Sequence, residues 1–448
     1  MSFRIRITIV FIFIAAFLVT APLLVLYTAG YRYNFNTGTI VQTGLFSVTS
    51  IPKGAAVIVN GKHEVNTPDF VKHLVPDEYE LRLEKSGYHS WTKHLSIESK
   101  VTTFVEDVIL FLVSSPQKQI YANIHDSQVS PDQNTIAYVA SEASWLEVWT
   151  YNVENQEQAL LWRIAEEDPT KVNLSWSADG DRLLIAHEQL NKTEFIVIDK
   201  RGQSRTELAE LDPSSIQNVW WHPTDAQAIF FNTRLGTFQY RLTSQSLSQI
   251  YDASALATMM NGQPILLLEG DNQTSVFRYP NAKAELIAYI PNSTYRILPA
   301  PEPFILLEDL DRKKMLLINT TAGDQPILLN ESALGAAWAP DGSGRLLYYN
   351  NFEVHIFNPW TLNDELLNRV GEAFTSAAWH PEVSAVIVTR DNVIEAIELD
   401  ARDQRNTIEL AKGENISTLL IQKNGQAAYF VGTIGPDRGI FSLELKER

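Results

Sequence analysis

The chain opens on an unbroken apolar run. No charged residue occurs from Ile7 to Tyr27, and the run includes Ile9-Val10-Phe11-Ile12-Phe13-Ile14. As a helix rising ~1.5 Å per residue, it is long enough to cross a hydrocarbon core of ~30 Å. A helix also satisfies its own backbone polar groups in lipid. The pattern therefore predicts a spanning helix over 7–29, with Pro22 bending its last turns, after a stub of residues 1–6. Arg4 and Arg6 precede the run, and the first acidic residue is Glu64. The positive-inside bias then places the stub in the cytoplasm and the body of the chain outside, with Tyr27, Tyr31 and Tyr33 at the interface. The rival reading is a cleaved signal peptide with Arg4 and Arg6 as its n-region. Its apolar stretch is unusually long, and cleavage after Ala21 would face Pro22. Both readings export the protein.

Residues 30–43 read as a short polar connector. From there the pattern changes to alternation with period two, the mark of half-buried strands. Leu45, Ser47 and Thr49 alternate with Phe46, Val48 and Ser50, and Val57 and Val59 alternate with Ile58 ahead of the turn pair Asn60-Gly61. Further strands are expected over Tyr79–Glu84, around Trp91 and within Val101–Leu112, with Gly87 at a turn. A small β-sandwich over 44–113 accounts for these elements. Pro52-Lys53-Gly54-Ala55, Asn60-Gly61, Thr67-Pro68, Leu74, Tyr79, Leu81 and Gly87-Tyr88 stand in the order found in PEGA domains, which this segment resembles. Lys53 replaces the acidic second position of the name-giving tetrapeptide, and Asp77 a usual glycine. The resemblance implies an extracytoplasmic building block with no shared chemistry.

Beyond residue 117 the chain repeats. The unit is a strand, a turn of the type Ser/His-Pro-Asp/Glu or Asp-Gly, and a short wholly apolar strand. Copies are Val129-Ser130-Pro131-Asp132 before Ile136–Val139, Ser175-Trp176-Ser177-Ala178-Asp179-Gly180 before Leu183–Ile185, and Trp220-Trp221-His222-Pro223 before Ala228–Phe231. Two more are Trp338-Ala339-Pro340-Asp341-Gly342 before Leu346–Tyr349, and Trp379-His380-Pro381-Glu382 before Ala385–Val388. Spacings are about 40 residues, the period of a four-stranded propeller blade. Degenerate copies without tryptophan fall at Pro264–Glu269 and Pro303–Glu308, and a last one runs from Ile416 through Asn424-Gly425 to Val431. The last unit lacks a fourth strand, and Gln119-Ile120-Tyr121, ahead of the first unit, is placed to supply it. The turn-and-strand unit resembles the propellers of TolB type and other WD-like families. The expected fold is all-β after the helix, with a propeller over 117–448 of eight blades, seven being the alternative.

Composition narrows the function. Of 448 residues, 45% are hydrophobic and 20% charged, which is globular. Acids outnumber bases 53 to 36, a net charge of −17, so nucleic acid is not an expected partner. There is no cysteine, which excludes disulfides, thiolate metal sites and thiol nucleophiles. His222 and His380 occupy a repeat position held elsewhere by Ser130 and Ser177, so they read as turn residues rather than catalysts. His63, His73, His89 and His94 read as scattered surface residues, and Glu166-Glu167 or Asp309 with Asp311 as solvated loop charges. No catalytic residue, cofactor or metal is expected.

Propellers bind at the mouths of their channels through interstrand loops. The candidate loops are 141–145, 232–237, 350–353 and 432–438, represented by Trp145, Arg234, Asn351 and Asp437. The sequence therefore predicts a non-enzymatic scaffold in the cytoplasmic membrane. A single span would anchor it, the bulk would lie outside, and the partner would be an envelope protein or a wall glycan. A polysaccharide-acting propeller enzyme and a purely structural surface module are the alternatives.

Overall fold

A computed structural model describes residues 3–34, 38–165, 171–189, 192–208, 216–279 and 283–447. The chain divides into two compact units, Met1–Val113 with Glu398–Ile408, and Ser114–Ile397 with Glu409–Arg448.

In the first unit the apolar run forms one helix, α1 (Phe3–Thr28), with Pro22 inside it. Its segment Ile7–Thr28 is long and apolar enough to cross a membrane, and none of it is buried. The connector is not a plain loop. Tyr31–Asn34 and Thr39–Gln42 pair as an antiparallel hairpin, with Tyr33 directly opposite Ile40. The alternation of Tyr31 and Tyr33 with Arg32 is too short a period-two signal to stand out beside the helix. The Thr43 N–H and hydroxyl both donate to the Gly30 carbonyl, each at 2.9 Å. The hairpin therefore returns the chain to where the helix ended.

The sandwich follows. One sheet sets Gly44–Ile51 between Asp69–Leu74 and Thr102–Ile109, the second pairing parallel. The other runs Lys62–Asn66, Ala56–Val59, Glu78–Glu84, Trp91–Ser96. The inward positions of both, among them Phe46, Val48, Val57, Leu81, Leu83, Trp91 and Val105, make one core. Asn60 and Gly61 both take positive φ, as a two-residue hairpin turn requires. The Pro52–Ala55 turn is held by Thr67, whose hydroxyl accepts from the Ala55 N–H at 3.0 Å and bonds Ser50 Oγ at 2.6 Å.

Lys93 in this unit is 1% exposed. Its ammonium donates to the carbonyls of Asp400 (2.7 Å), Arg402 (2.8 Å) and Gln404 (2.8 Å) and lies 3.2 Å from the Glu398 carboxylate. The Trp91 indole donates to the other Glu398 oxygen at 2.7 Å. A buried cation is tolerable only with such a shell. The sequence reading gave 398–408 to the propeller. A stretch so distant along the chain leaves no local signal of its attachment to Lys93.

The second unit is a succession of four-stranded antiparallel meanders. Among the described residues there are eight, over 124–165, 171–207, 218–251, 256–291, 295–332, 335–369, 374–412, and 414–444 joined by Gln117–Tyr121. We number these sheets one to eight. Each packs on the next through an apolar cluster or an interstrand bond, and sheet eight packs on sheet one through Leu420, Tyr429, Tyr138 and Tyr151. The succession closes on itself, which is the architecture of a β-propeller. Second strands are covered on both faces, so they read as continuous apolar runs; all of Ala228–Thr233 is buried. Outer strands such as Ser246–Tyr251 are mostly exposed.

Two devices close the ring. Gln117–Tyr121 pairs antiparallel with Asp437–Glu444 and supplies the fourth strand of sheet eight. Gly439 lies against it at φ 153°, where a Cβ would collide with the Ile120 carbonyl. The repeat tryptophans are the second device. Trp176, Trp221, Trp338 and Trp379 donate their indole N–H to the carbonyls of Gln128 (3.1 Å), Ser175 (3.0 Å), Pro299 (2.8 Å) and Ala337 (2.9 Å) in the preceding repeat.

Candidate functional site at the mouth of the channel

The repeat turns are structural. Ser130 and Ser177 accept the N–H groups of Thr135 (3.0 Å) and Arg182 (2.9 Å), closing their turns. His222 does the same work with a ring. Its Nδ1 accepts from the Asp225 N–H at 2.9 Å, and its Nε2 lies 3.1 Å from the Met259 carbonyl, to which it donates. Burial pushes the His222 pKa below the usual histidine value and that of His380 down to about 4. Both are neutral caps.

A different set of residues surrounds open space. The first strands of sheets three, four and five converge with the loops at one end of those sheets on a cleft of about 420 Å³. Asn218 and Trp220 line it from sheet three, Ser254 and Glu269 from around sheet four, Tyr295 and Arg296 from sheet five. The loops are pinned by buried polar groups. Asn232, 5% exposed, shares the Thr237 hydroxyl at 2.9 Å, and that hydroxyl lies 2.8 Å from the Ala253 carbonyl. Thr274 donates to Asn292 Oδ1 at 3.0 Å, and the Asn292 amide donates to the Gly270 carbonyl at 2.6 Å.

Asp309 and Asp311 are not both solvated loop charges. Asp309 is 1% exposed, accepts from the Ser293 hydroxyl and from the Arg312 N–H at 2.9 Å, and pairs with the Arg312 guanidinium. A carboxylate can be buried there because a cation and two donors meet it. Asp311 accepts from the Thr294 N–H at 2.8 Å and from the Ser293 hydroxyl, bonds that hold its pKa below the ordinary carboxylate range. Together they fix the 293–294 rim of the cleft. Glu166 and Glu167 lie outside the described residues.

Charge is mixed around the channel. Arg296 pairs with Glu308 at 3.3 Å. On sheet one, burial raises the Asp126 pKa, and the positive charges of Lys171 and Arg296 partly offset that rise. Such lining presents hydrogen-bond donors, acceptors, two aromatic rings and both signs of charge, which suits recognition of a polar, extended ligand.

The four residues singled out from the sequence sit on four sheets. Each belongs to the hairpin between a second and a third strand, so they share one end of the meanders. Arg234 is exposed on the hairpin that follows Asn232, which lines the cleft, but is not itself among the lining residues. Asn351 is exposed on sheet six. Trp145 is stacked under the Arg163 guanidinium at 4.3 Å, and Asp437 pairs with Lys118 at 3.0 Å beside the closing strand. Trp220, Ser254, Glu269, Tyr295 and Arg296 escaped the sequence reading. The doubled Trp220-Trp221 was the one available signal, since a single indole suffices for the interrepeat bond.

Among the described residues no group of three or more histidine or acidic side chains is placed to hold a metal ion. His94 pairs with Asp403 of the distant 398–408 stretch at 3.1 Å, and His63 bonds its neighbour Asn66 at 3.0 Å.

One family model matches within the first unit. Residues 43–108 match the model of the PEGA domain. No curated protein matches the chain. Among solved structures it is similar to the C-terminal WD40 domain of Sif2, with 14% identity, a TM-score of 0.49, and coverage of 74% of this chain and 99% of that one. An oligogalacturonate lyase from Vibrio parahaemolyticus is similar at 13% identity and TM-score 0.39, covering 73% and 99%. Kluyveromyces lactis Hsv2 is similar at 13% and 0.40, covering 65% and 99%. With the PEGA match and the closed ring of four-stranded sheets, the chain joins an N-terminal apolar helix and a PEGA domain to a β-propeller.

Proposed function

We propose that this chain is a non-enzymatic binding protein held in the cytoplasmic membrane by its single N-terminal span. Its PEGA domain and propeller stand on the outer side and engage an envelope protein or a wall glycan. The observation that carries the reading is the channel-mouth cleft. Its walls come from three successive sheets, and Asn232, Thr274 and Ser293 among its lining residues are held by bonds to neighbouring loops. Preorganised walls of this kind lower the ordering cost of binding. The charge before the helix supports the topology, and the PEGA match supports display at a surface.

The test is photocrosslinking in cells. A photoreactive residue replaces Glu269 or Ser254 at the cleft, or Trp360, which is 60% exposed on a turn between third and fourth strands at the other end of the sheets. Recurrent capture of one envelope protein, or of wall fragments, from the first two positions and not the third supports the proposal. Equal capture from all three, or none, counts against the cleft. Depolymerisation of a captured glycan by the purified chain would replace the binding reading with the enzymatic one.

A further inference from the structure

The hairpin after α1 has a surface that the proposed function leaves unused. Its register sets Tyr33 opposite Ile40, and Tyr31 opposite Gln42, on one face. Tyr33 is 52% exposed and Ile40 59% exposed, next to a helix whose apolar span Ile7–Thr28 has no buried residue. An isolated two-stranded ribbon is marginal in water and needs a further layer against its apolar face.

The hairpin is fastened to the end of the helix. The Arg32 guanidinium lies 3.6 Å over the Tyr27 ring and donates to the Tyr27 carbonyl at 2.8 Å and the Tyr31 carbonyl at 2.9 Å. A cation at a helix C-terminus satisfies carbonyls that have no partner within the helix and complements the helix dipole. The Gln42 amide donates to the Ala29 carbonyl at 3.2 Å, and Thr43 bonds Gly30 twice. Lys100 N–H reaches the Thr43 carbonyl at 3.3 Å, so the ribbon's base is also tied to the sandwich. A segment fixed in this way is not a spacer. Its tyrosines have an apolar body and a polar tip, which suits the boundary between acyl chains and headgroups.

We propose that the hairpin 31–42 is an interfacial anchor. Its Tyr31–Tyr33–Ile40 face rests in the headgroup boundary of the bilayer that α1 crosses, and it holds the PEGA domain at the membrane surface. The occupant of that face is phospholipid. The inference rests on α1 being a membrane span, and the experiment separates the two.

The absence of cysteine makes single-site spin labelling clean. Full-length chain carrying Tyr33→Cys, Ile40→Cys, Phe13→Cys in the helix, or Lys62→Cys on the exposed Asn60-Gly61 hairpin is labelled. Each is reconstituted in vesicles of phosphatidylcholine and phosphatidylglycerol. Collision rates with oxygen, which concentrates in lipid, are compared with those of a water-soluble nickel chelate. The expected result is that labels at 13, 33 and 40 collide more with oxygen than with nickel, with 33 and 40 shallower than 13, and that the label at 62 shows the reverse. Labels at 33 and 40 as open to nickel as the label at 62, while 13 stays protected, overturn the interfacial anchor alone. Nickel access at 13 as well overturns the span and with it the anchor.

Discussion

Replacing Lys93 by methionine removes a charge while keeping most of the aliphatic stem, and its consequences follow from the shell around the ammonium. Three main-chain carbonyls at 2.7, 2.8 and 2.8 Å and the Glu398 carboxylate at 3.2 Å lose their donor at once. Hydrogen bonds to a charged group contribute about 1.5–3 kcal/mol each, and breaking a buried ion pair by removing one partner costs about 3–5 kcal/mol. These are not additive, because the 398–408 stretch has a way out. It can swing its carbonyls into water, and the loss is then capped at the free energy that holds the stretch in place. We therefore expect a loss of about 3 kcal/mol, spent locally. Hydrogen–deuterium exchange on the full chain reads this directly. Peptides covering 398–408 should exchange about a hundredfold faster in Lys93→Met, since each 1.4 kcal/mol is tenfold. Peptides over the propeller's second strands should be unchanged. Glu398→Gln keeps the Trp91 acceptor but removes the counter-charge of the buried ammonium and turns an amide N–H₂ toward it and toward the Asn406 amide, so it should speed exchange over 398–408 by a comparable factor. If Lys93→Met folds and exchange over 398–408 moves by less than threefold, the ammonium is not what holds that stretch.

Other consequences follow from the ring. His380 is neutral in the fold with a pKa of about 4 against an ordinary 6.5, so the unfolded chain binds its proton first as pH falls. Its contribution is intact above about pH 6.5 and is lost as pH drops toward 4, amounting to about 2 kcal/mol at pH 5. His380→Ser should flatten thermal stability between pH 7 and 5, and an unchanged slope would assign the acid sensitivity elsewhere. Gly439→Ala should cost about 2–3 kcal/mol by driving a methyl into the Ile120 carbonyl, read as proteolytic release of the 117–121 strand before the rest unfolds. Trp379→Phe loses the bond to the Ala337 carbonyl and should cost about 1 kcal/mol in a denaturant midpoint, against about 3–5 for Trp379→Ala. Alkaline carbonate should leave the full chain in the membrane pellet, while protease added to spheroplasts should degrade the propeller; a protected propeller refutes the outward topology.

Local physics made most of the fold legible. The Asn60-Gly61 turn, the doubly covered second strands and the unpaired last unit each follow from a rule that acts within a few residues, or from a repeat compared with itself. The strand Gln119–Tyr121 could be placed because an open sheet edge demanded a partner. What escaped was of another kind. Strands Lys62–Asn66 and Asp69–Leu74 are short, polar and mostly exposed, so their period-two signal is faint. The attachment of 398–408 to Lys93 joins positions about three hundred residues apart, and no pattern in either announces it. Asp309 with Asp311 reads as a solvated pair because such carboxylate pairs are common in a chain with 53 acidic residues. The burial of Asp309 depends on Ser293 and Arg312 closing over it.

The repeat also separates positions with a structural duty from those that line open space. Positions that recur, the indole at the end of the first strand and the serine or histidine that closes the turn, are used up by contacts between successive units. Sheets four and five lack both the tryptophan and the serine or histidine, as sheet eight does, and sheet one lacks the tryptophan. In sheets four and five Met259, Met260 and Leu298 stand there, and a space of about 20 Å³ lies beside them. The same two sheets, with sheet three, wall the channel-mouth cleft. Trp220 there points its indole N–H forward to the Ala257 carbonyl at 2.8 Å, opposite in sense to the repeat bond made by Trp221. Departure from the repeat is not confined to the walls of the cleft, since sheets eight and one, which close the ring, also lack the tryptophan. What sets sheets three to five apart is the forward bond of Trp220 into sheet four beside the open cleft.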